Sequence, residues 1–103
     1  MLPKKKRLNK EDFKNLRPQS LFRGTFVDIS GSESKETKFA CVVSKKRFKK
    51  AVERNKARRK VYNILNKVKL ESPHLIVVYP KQNIVNSSSK NIENEIVSAL
   101  LKI

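Results

Sequence analysis

No residues in this chain have the spacing of a catalytic centre. The nine acids are scattered, and no pair is placed to hold a metal ion for phosphodiester cleavage. With two glycines there is no conventional phosphate-cradling loop. His74 stands alone beside Pro73 and reads as a strand-edge residue rather than an acid or base. Cys41 lies in an apolar run and reads as a small buried hydrophobe. As the one cysteine, it offers neither an internal disulfide nor a multi-cysteine metal site, which fits a reducing, cytoplasmic setting. Tyr62 and Tyr79 carry no signal on their own.

The concentrated chemistry is charge. Between Lys45 and Lys60, ten of sixteen residues are Lys or Arg and one, Glu53, is acidic, so +9 of the chain's +16 falls in one stretch. A 103-residue chain with a pI near 10.4 suits a polyanion. Nucleic acid comes first, because each neutralised phosphate releases counterions, and an anionic membrane surface second. Solubility alone would not require the charge to be gathered in one place. Arg grips a phosphate with two donors in fixed geometry, and Asn donates and accepts at once.

These residues must be held by a fold. Ala57, Val61, Ile64, Leu65 and Val68 form an apolar stripe at helical spacing, which predicts a helix from about Lys49 to Lys69. On its wheel Arg54 continues the stripe and Arg58 lies at its edge, both at the rim of a cleft. Arg59, Lys56 and Lys60 should face solvent. Before this helix, residues 1–7 read as a mobile basic arm. No apolar segment follows them, so they are not a signal peptide. Asn9 is a plausible N-cap for a short helix stopped by Pro18, with Leu8 and Phe13 as a hydrophobic staple. Leu21–Ile29 reads as a strand, with Val27 and Ile29 on one face and Phe26 and Asp28 on the other; splitting it, or drawing on the loop that follows, would supply an extra strand. Ser30–Thr37 reads as a hairpin loop, and Lys38–Ser44 as a central strand covered on both faces. His74–Tyr79 is a short β-branched strand ended by Pro80; reached through a long helix, it should run parallel to a strand of the same sheet. Lys81–Lys90 reads as a polar loop. Ile92, Ile96, Ala99, Leu100 and Ile103 predict a closing helix capped by Ser88 or Ser89. No run approaches the ~20 apolar residues of a membrane span.

The whole is one domain, residues 1–103, of the α+β class (an α/β sandwich). It has one mixed sheet of three or four strands and two or three helices, in the order α-β-β-(β)-α-β-α. On charge and fold alone, a structural RNA-binding protein such as a small ribosomal protein, a DNA-binding protein and a self-sufficient nuclease all remain, the last two disfavoured by the absent helix-turn-helix spacing and the scattered acids.

The ordered motif narrows this. Ser44-Lys45-Lys46 at a strand end, then Ala51-Val52-Glu53-Arg54-Asn55-Lys56-Ala57-Arg58-Arg59 on the helix, resembles the protein component of bacterial ribonuclease P. Arg7-Leu8 with Asp12-Phe13, and Leu75–Tyr79 followed by Pro80, resemble the same family in the same order, over nearly the whole chain. Lys56 stands where the family core has Arg, keeping charge but losing the planar fork. Family glycines near Ala40 and Phe48 are absent, as is a basic tail after Ile103.

The resemblance implies a ribosomal-protein-S5-domain-2-like sandwich with a left-handed crossover, against the usual hand. It implies a protein monomer within a cytoplasmic ribonucleoprotein, binding ribonuclease P RNA and precursor tRNA and no membrane. Lys45, Lys46, Arg54, Asn55, Lys56, Arg58 and Arg59 would contact RNA. Phe13, Phe26 and Ser44 would line a cleft for the single-stranded 5′ leader, where stacking on an aromatic tolerates any sequence. Hydrolysis would belong to the RNA subunit with Mg²⁺, so the protein needs no catalytic residue.

Overall fold

The structure, a computed structural model, describes residues 19–68, 70 and 72–102. The basic arm, the helix expected from Asn9 and its Phe13 lie outside the described residues.

Four strands form one mixed sheet: β1 (Gln19–Arg23), β2 (Val27–Glu33), β3 (Lys38–Cys41) and β4 (His74–Pro80), in the order β1-β2-β4-β3. Among the described residues, two helices, α1 (Ala51–Leu65) and α2 (Ser89–Leu100), and a short 3₁₀ turn (Gln82–Val85) accompany it. β3 and β4 are parallel and joined through α1, as the crossover argument requires, while β2 is antiparallel to both its neighbours, β1 and β4.

The register explains the burial. Val27, Ile29 and Gly31 on β2 stand opposite Pro80, Val78 and Ile76 on β4, and Phe39 and Cys41 on β3 continue the same rows. This face packs on Ala57, Val61, Ile64 and Leu65 of α1 and Ile92, Ile96, Ala99 and Leu100 of α2. Those are the stripes read from the sequence, and Val68, beyond the end of α1, is partly buried against the same core.

Several expectations are corrected. Leu21–Ile29 takes the split alternative, which supplies the extra strand: Gly24, Thr25 and Phe26 turn the chain, with the Gly24 amide donating to the Val27 carbonyl at 2.9 Å. A side chain at 24 would run into Phe22 and the Glu95 carboxylate, both of which would have to shift. Ser30–Thr37 is not a hairpin loop, because β2 runs on through Ser30, Gly31 and Ser32 to Glu33. Gly31 fits there because a Cβ would stand 2.5 Å from the Leu75 carbonyl oxygen. β3 ends at Cys41 and is an edge strand rather than a central one, although Phe39, Ala40 and Cys41 are all buried. Helix α1 is shorter than its apolar stripe: after Leu65 the chain tightens, with Lys67 and Val68 amides bonding three residues back to Ile64 and Leu65 carbonyls. The Lys81–Lys90 loop contains the 3₁₀ turn, whose Ile84 and Val85 join the core. Ser88 caps α2, its Oγ accepting from the Asn91 amide at 3.2 Å.

Candidate nucleic-acid interface

The segment from Ser44 to Lys50 sets up the basic face. Ser44 organises a tight turn: its carbonyl accepts from the Phe48 amide at 3.0 Å and its Oγ from the Arg47 amide at 3.3 Å. Phe48, fully buried, anchors that turn to the core, which leaves Lys45 and Lys46 exposed at its tip. α1 then starts at Ala51 without a side-chain cap.

Arg54 is half-buried, and its Nη1 donates to the carbonyls of Phe48 (2.8 Å) and Lys49 (3.3 Å). It holds the incoming loop against the first helical turn. One turn on, Arg58 is exposed and steadied by Asn55, whose Oδ1 accepts from Nη1 at 3.3 Å. Asn55, Arg58, Arg59, Tyr62 and Asn63 line an open depression of about 450 Å³. The Tyr62 hydroxyl accepts from the Cys41 amide at 3.2 Å, tying α1 to the exposed side of the edge strand. Burial pushes the Cys41 thiol up to about 12, with the Arg58 charge opposing.

Of the residues named from the sequence, the structure brings Asn55, Arg58 and Arg59 into one surface, with Lys56 exposed on the neighbouring flank. Lys60 does not face solvent as expected. Its Nζ donates to the carbonyls of Ile84, Val85 and Ser87 at 3.0–3.1 Å and so closes the 3₁₀ turn. Phe26 does not share a face with Asp28; it sits in the β1–β2 turn, packed on the core.

A second polar surface lies on the sheet face away from the helices. Asp28 pairs across strands with Arg23 and Tyr79. Arg47 reaches in from the turn, 3.5 Å from Asp28 Oδ2 and bonded to the carbonyls of Tyr79 and Pro80. Lys81 Nζ lies 3.5 Å from Asp28 Oδ1. With Ser20 and Ser30 these residues bound a depression of about 550 Å³. Sequence reading missed it. Arg47 was visible only as one more cation of the run, and the rest depends on strand register.

Among the described residues no three His, Cys, Asp or Glu side chains could hold a metal ion, and no helix is long and apolar enough to cross a membrane. What these surfaces offer is cations, side-chain amides and two phenols, set around a small mixed sheet. This defines a basic α+β domain built to meet anions.

The chain belongs to the ribonuclease P family, whose pattern it matches over residues 2–103. It is 39% identical over 66 residues to the "Ribonuclease P protein component" of Thermus brockianus; the match covers 64% of this chain and 40% of that protein's length. In fold it is similar to the RNase P protein of Thermotoga maritima (TM-score 0.75, 20% identity, 94% of this chain and 96% of that one). It is also similar to a Staphylococcus aureus RNase P protein mutant described as having defective mRNA degradation activity (TM-score 0.76, 23% identity, 96% and 87%).

Proposed function

We propose that this chain is the protein subunit of ribonuclease P, a cytoplasmic ribonucleoprotein that matures the 5′ ends of tRNA. The observation that carries the reading is the exposed Asn55–Arg58–Arg59 surface of α1, in a chain whose family pattern runs almost end to end. In this reading Lys45, Lys46, Asn55, Lys56, Arg58 and Arg59 bind phosphates of the catalytic RNA, one protein monomer per complex. Arg54 shapes the loop that presents Lys45 and Lys46. The leader of precursor tRNA lies against Phe13 and Ser44, with no part for Phe26. Hydrolysis belongs to the RNA and its Mg²⁺. The protein lowers the Mg²⁺ demand by adding fixed positive charge where phosphates crowd.

The test is 5′-leader cleavage of a precursor tRNA at low Mg²⁺, with the cognate RNA alone, the protein alone and both together. Cleavage only with both is the expected result. Cleavage by the protein alone would overturn the assignment of catalysis to the RNA. Tight RNA binding without stimulation would identify a structural RNA-binding protein instead.

A further inference from the structure

Helix α1 has two flanks. Arg59 and Asn63 form the ridge between them, lining the Arg58 depression on one side and a groove against α2 on the other. That groove is about 630 Å³, within the ~300–1,000 Å³ of ordinary ligand sites.

Its walls carry Lys56, Arg59, Lys60, Lys67 and Lys90 against one acid, Glu93. Glu93 is already engaged, 3.6 Å from Lys67. Among the described residues, Lys56, Arg59 and Lys90 have no acidic partner. Lys56 and Lys60 stand one helical turn apart as a like-charged pair, a spacing that destabilises a helix. Burial and then the Lys56 charge hold the Lys60 ammonium below its usual pKa. Lys60 cannot swing away, because three carbonyls fix it. Lys90 sits in the first turn of α2, which holds no acid and where a helix disfavours cations. In the free protein the like-charged Lys56–Lys60 pair and the place of Lys90 at a helix start each cost stability. An anion lying along the groove would relieve both.

We propose that the α1–α2 groove is a second phosphate-backbone site, taking a stretch of RNA separate from the one that meets Arg58, with Arg59 on the ridge shared by both. The protein then staples two RNA segments together, one on each flank of a single helix. The inference rests on the ribonucleoprotein reading above.

The experiment compares Lys90→Glu and Arg58→Ala with the wild-type chain. It measures affinity for the cognate ribonuclease P RNA against salt, RNA backbone protection, and melting of the free protein. Lys90→Glu should lower the salt slope by about one and the affinity about five- to tenfold. It should also raise the melting temperature by about 2–4 °C, since an acid replaces a cation at the helix start. The nucleotides it uncovers should differ from those uncovered by Arg58→Ala. Wild-type affinity and slope for Lys90→Glu, with Arg58→Ala weakened, would overturn the groove and leave the function standing. Loss of the same protected nucleotides in both variants would also overturn it, because one segment would then serve both flanks. Wild-type behaviour in both variants would sink the groove and the RNA-subunit reading together.

Discussion

Arg54 stands 2.8 Å from the carbonyl oxygen of Phe48, the residue that pins the basic turn into the core. The arginine at the head of the helix is therefore a brace as well as a cation. Arg54→Ala should destabilise the protein by about 1–3 kcal/mol, the loss of charge-assisted bonds to carbonyls. Arg58→Ala, whose one bond is to exposed Asn55, should leave stability within about 0.5 kcal/mol and weaken RNA binding. Urea unfolding beside RNA titration separates the two. Equal stability loss in both variants would contradict the assignment.

Tyr62 covers a liability of the edge strand. The Cys41 amide points away from β4 and donates to the Tyr62 hydroxyl, while the next amide, Val42, bonds inward to Val78 at 2.9 Å. Tyr62→Phe leaves that amide without its acceptor and should cost about 1 kcal/mol. Hydrogen exchange at Cys41 should quicken while the centre of the sheet stays protected. Unchanged exchange would show that the hydroxyl is not the acceptor in solution.

The Cys41 thiol should be inert in the folded chain. With burial raising it from 9.0 to about 12, the thiolate fraction at pH 8 falls from about one in ten to about one in ten thousand. The sign for stability follows: the folded state keeps this proton longer, so the contribution is full below pH 9 and is lost as pH rises from 9 towards 12. A chromogenic disulfide reagent at pH 8 should label the protein only when denaturant is added. Rapid labelling of the native chain would refute this.

Glu95 holds the β1–β2 turn from some seventy residues further along the chain. Its carboxylate accepts from the amides of Thr25, Phe26 and Val27 at 2.6, 2.7 and 3.1 Å. Glu95→Ala should cost about 1–3 kcal/mol and free the turn, visible as faster exchange at those three amides. A conformationally silent Glu95→Ala would mean that the Lys81 and Asn83 bonds to the carbonyls of Gly24 and Thr25 suffice.

What could be read from the sequence was what is local. The β-branched run of β4, the stripe and Ser88 cap of α2, and the charge of residues 45–60 each declare themselves within a dozen residues. That β4 runs parallel to a strand of its own sheet followed from the helix before it; that the strand is β3 did not. What could not be read depends on partners far away in the chain. Nothing near Lys60 announces that its ammonium closes a turn 24–27 residues later. The Gly24 turn hides inside an apolar, β-forming run, and Ser30–Glu33 looks like a loop because its polar side chains carry no signal of the β4 backbone alongside. The helical wheel puts Arg54 in line with the stripe, where it is half-buried, but its carbonyl partners belong to a turn that sequence does not fix. The outer-face surface of Arg23, Asp28 and Tyr79 exists only once three strands are in register.

The last strand to be made is the one at the centre. β4 lies between β2 and β3, and its Pro80 pairs with Val27, 53 positions earlier. No sheet can close during translation until residue 80 has emerged. At ~5–20 residues per second, the ribosome takes roughly one to three seconds to pass from the end of α1 to that point. During that interval the nascent chain offers its densest positive stretch before the four-stranded sheet beneath it is complete. The polycation is thus within reach of an anionic partner before the sheet is complete.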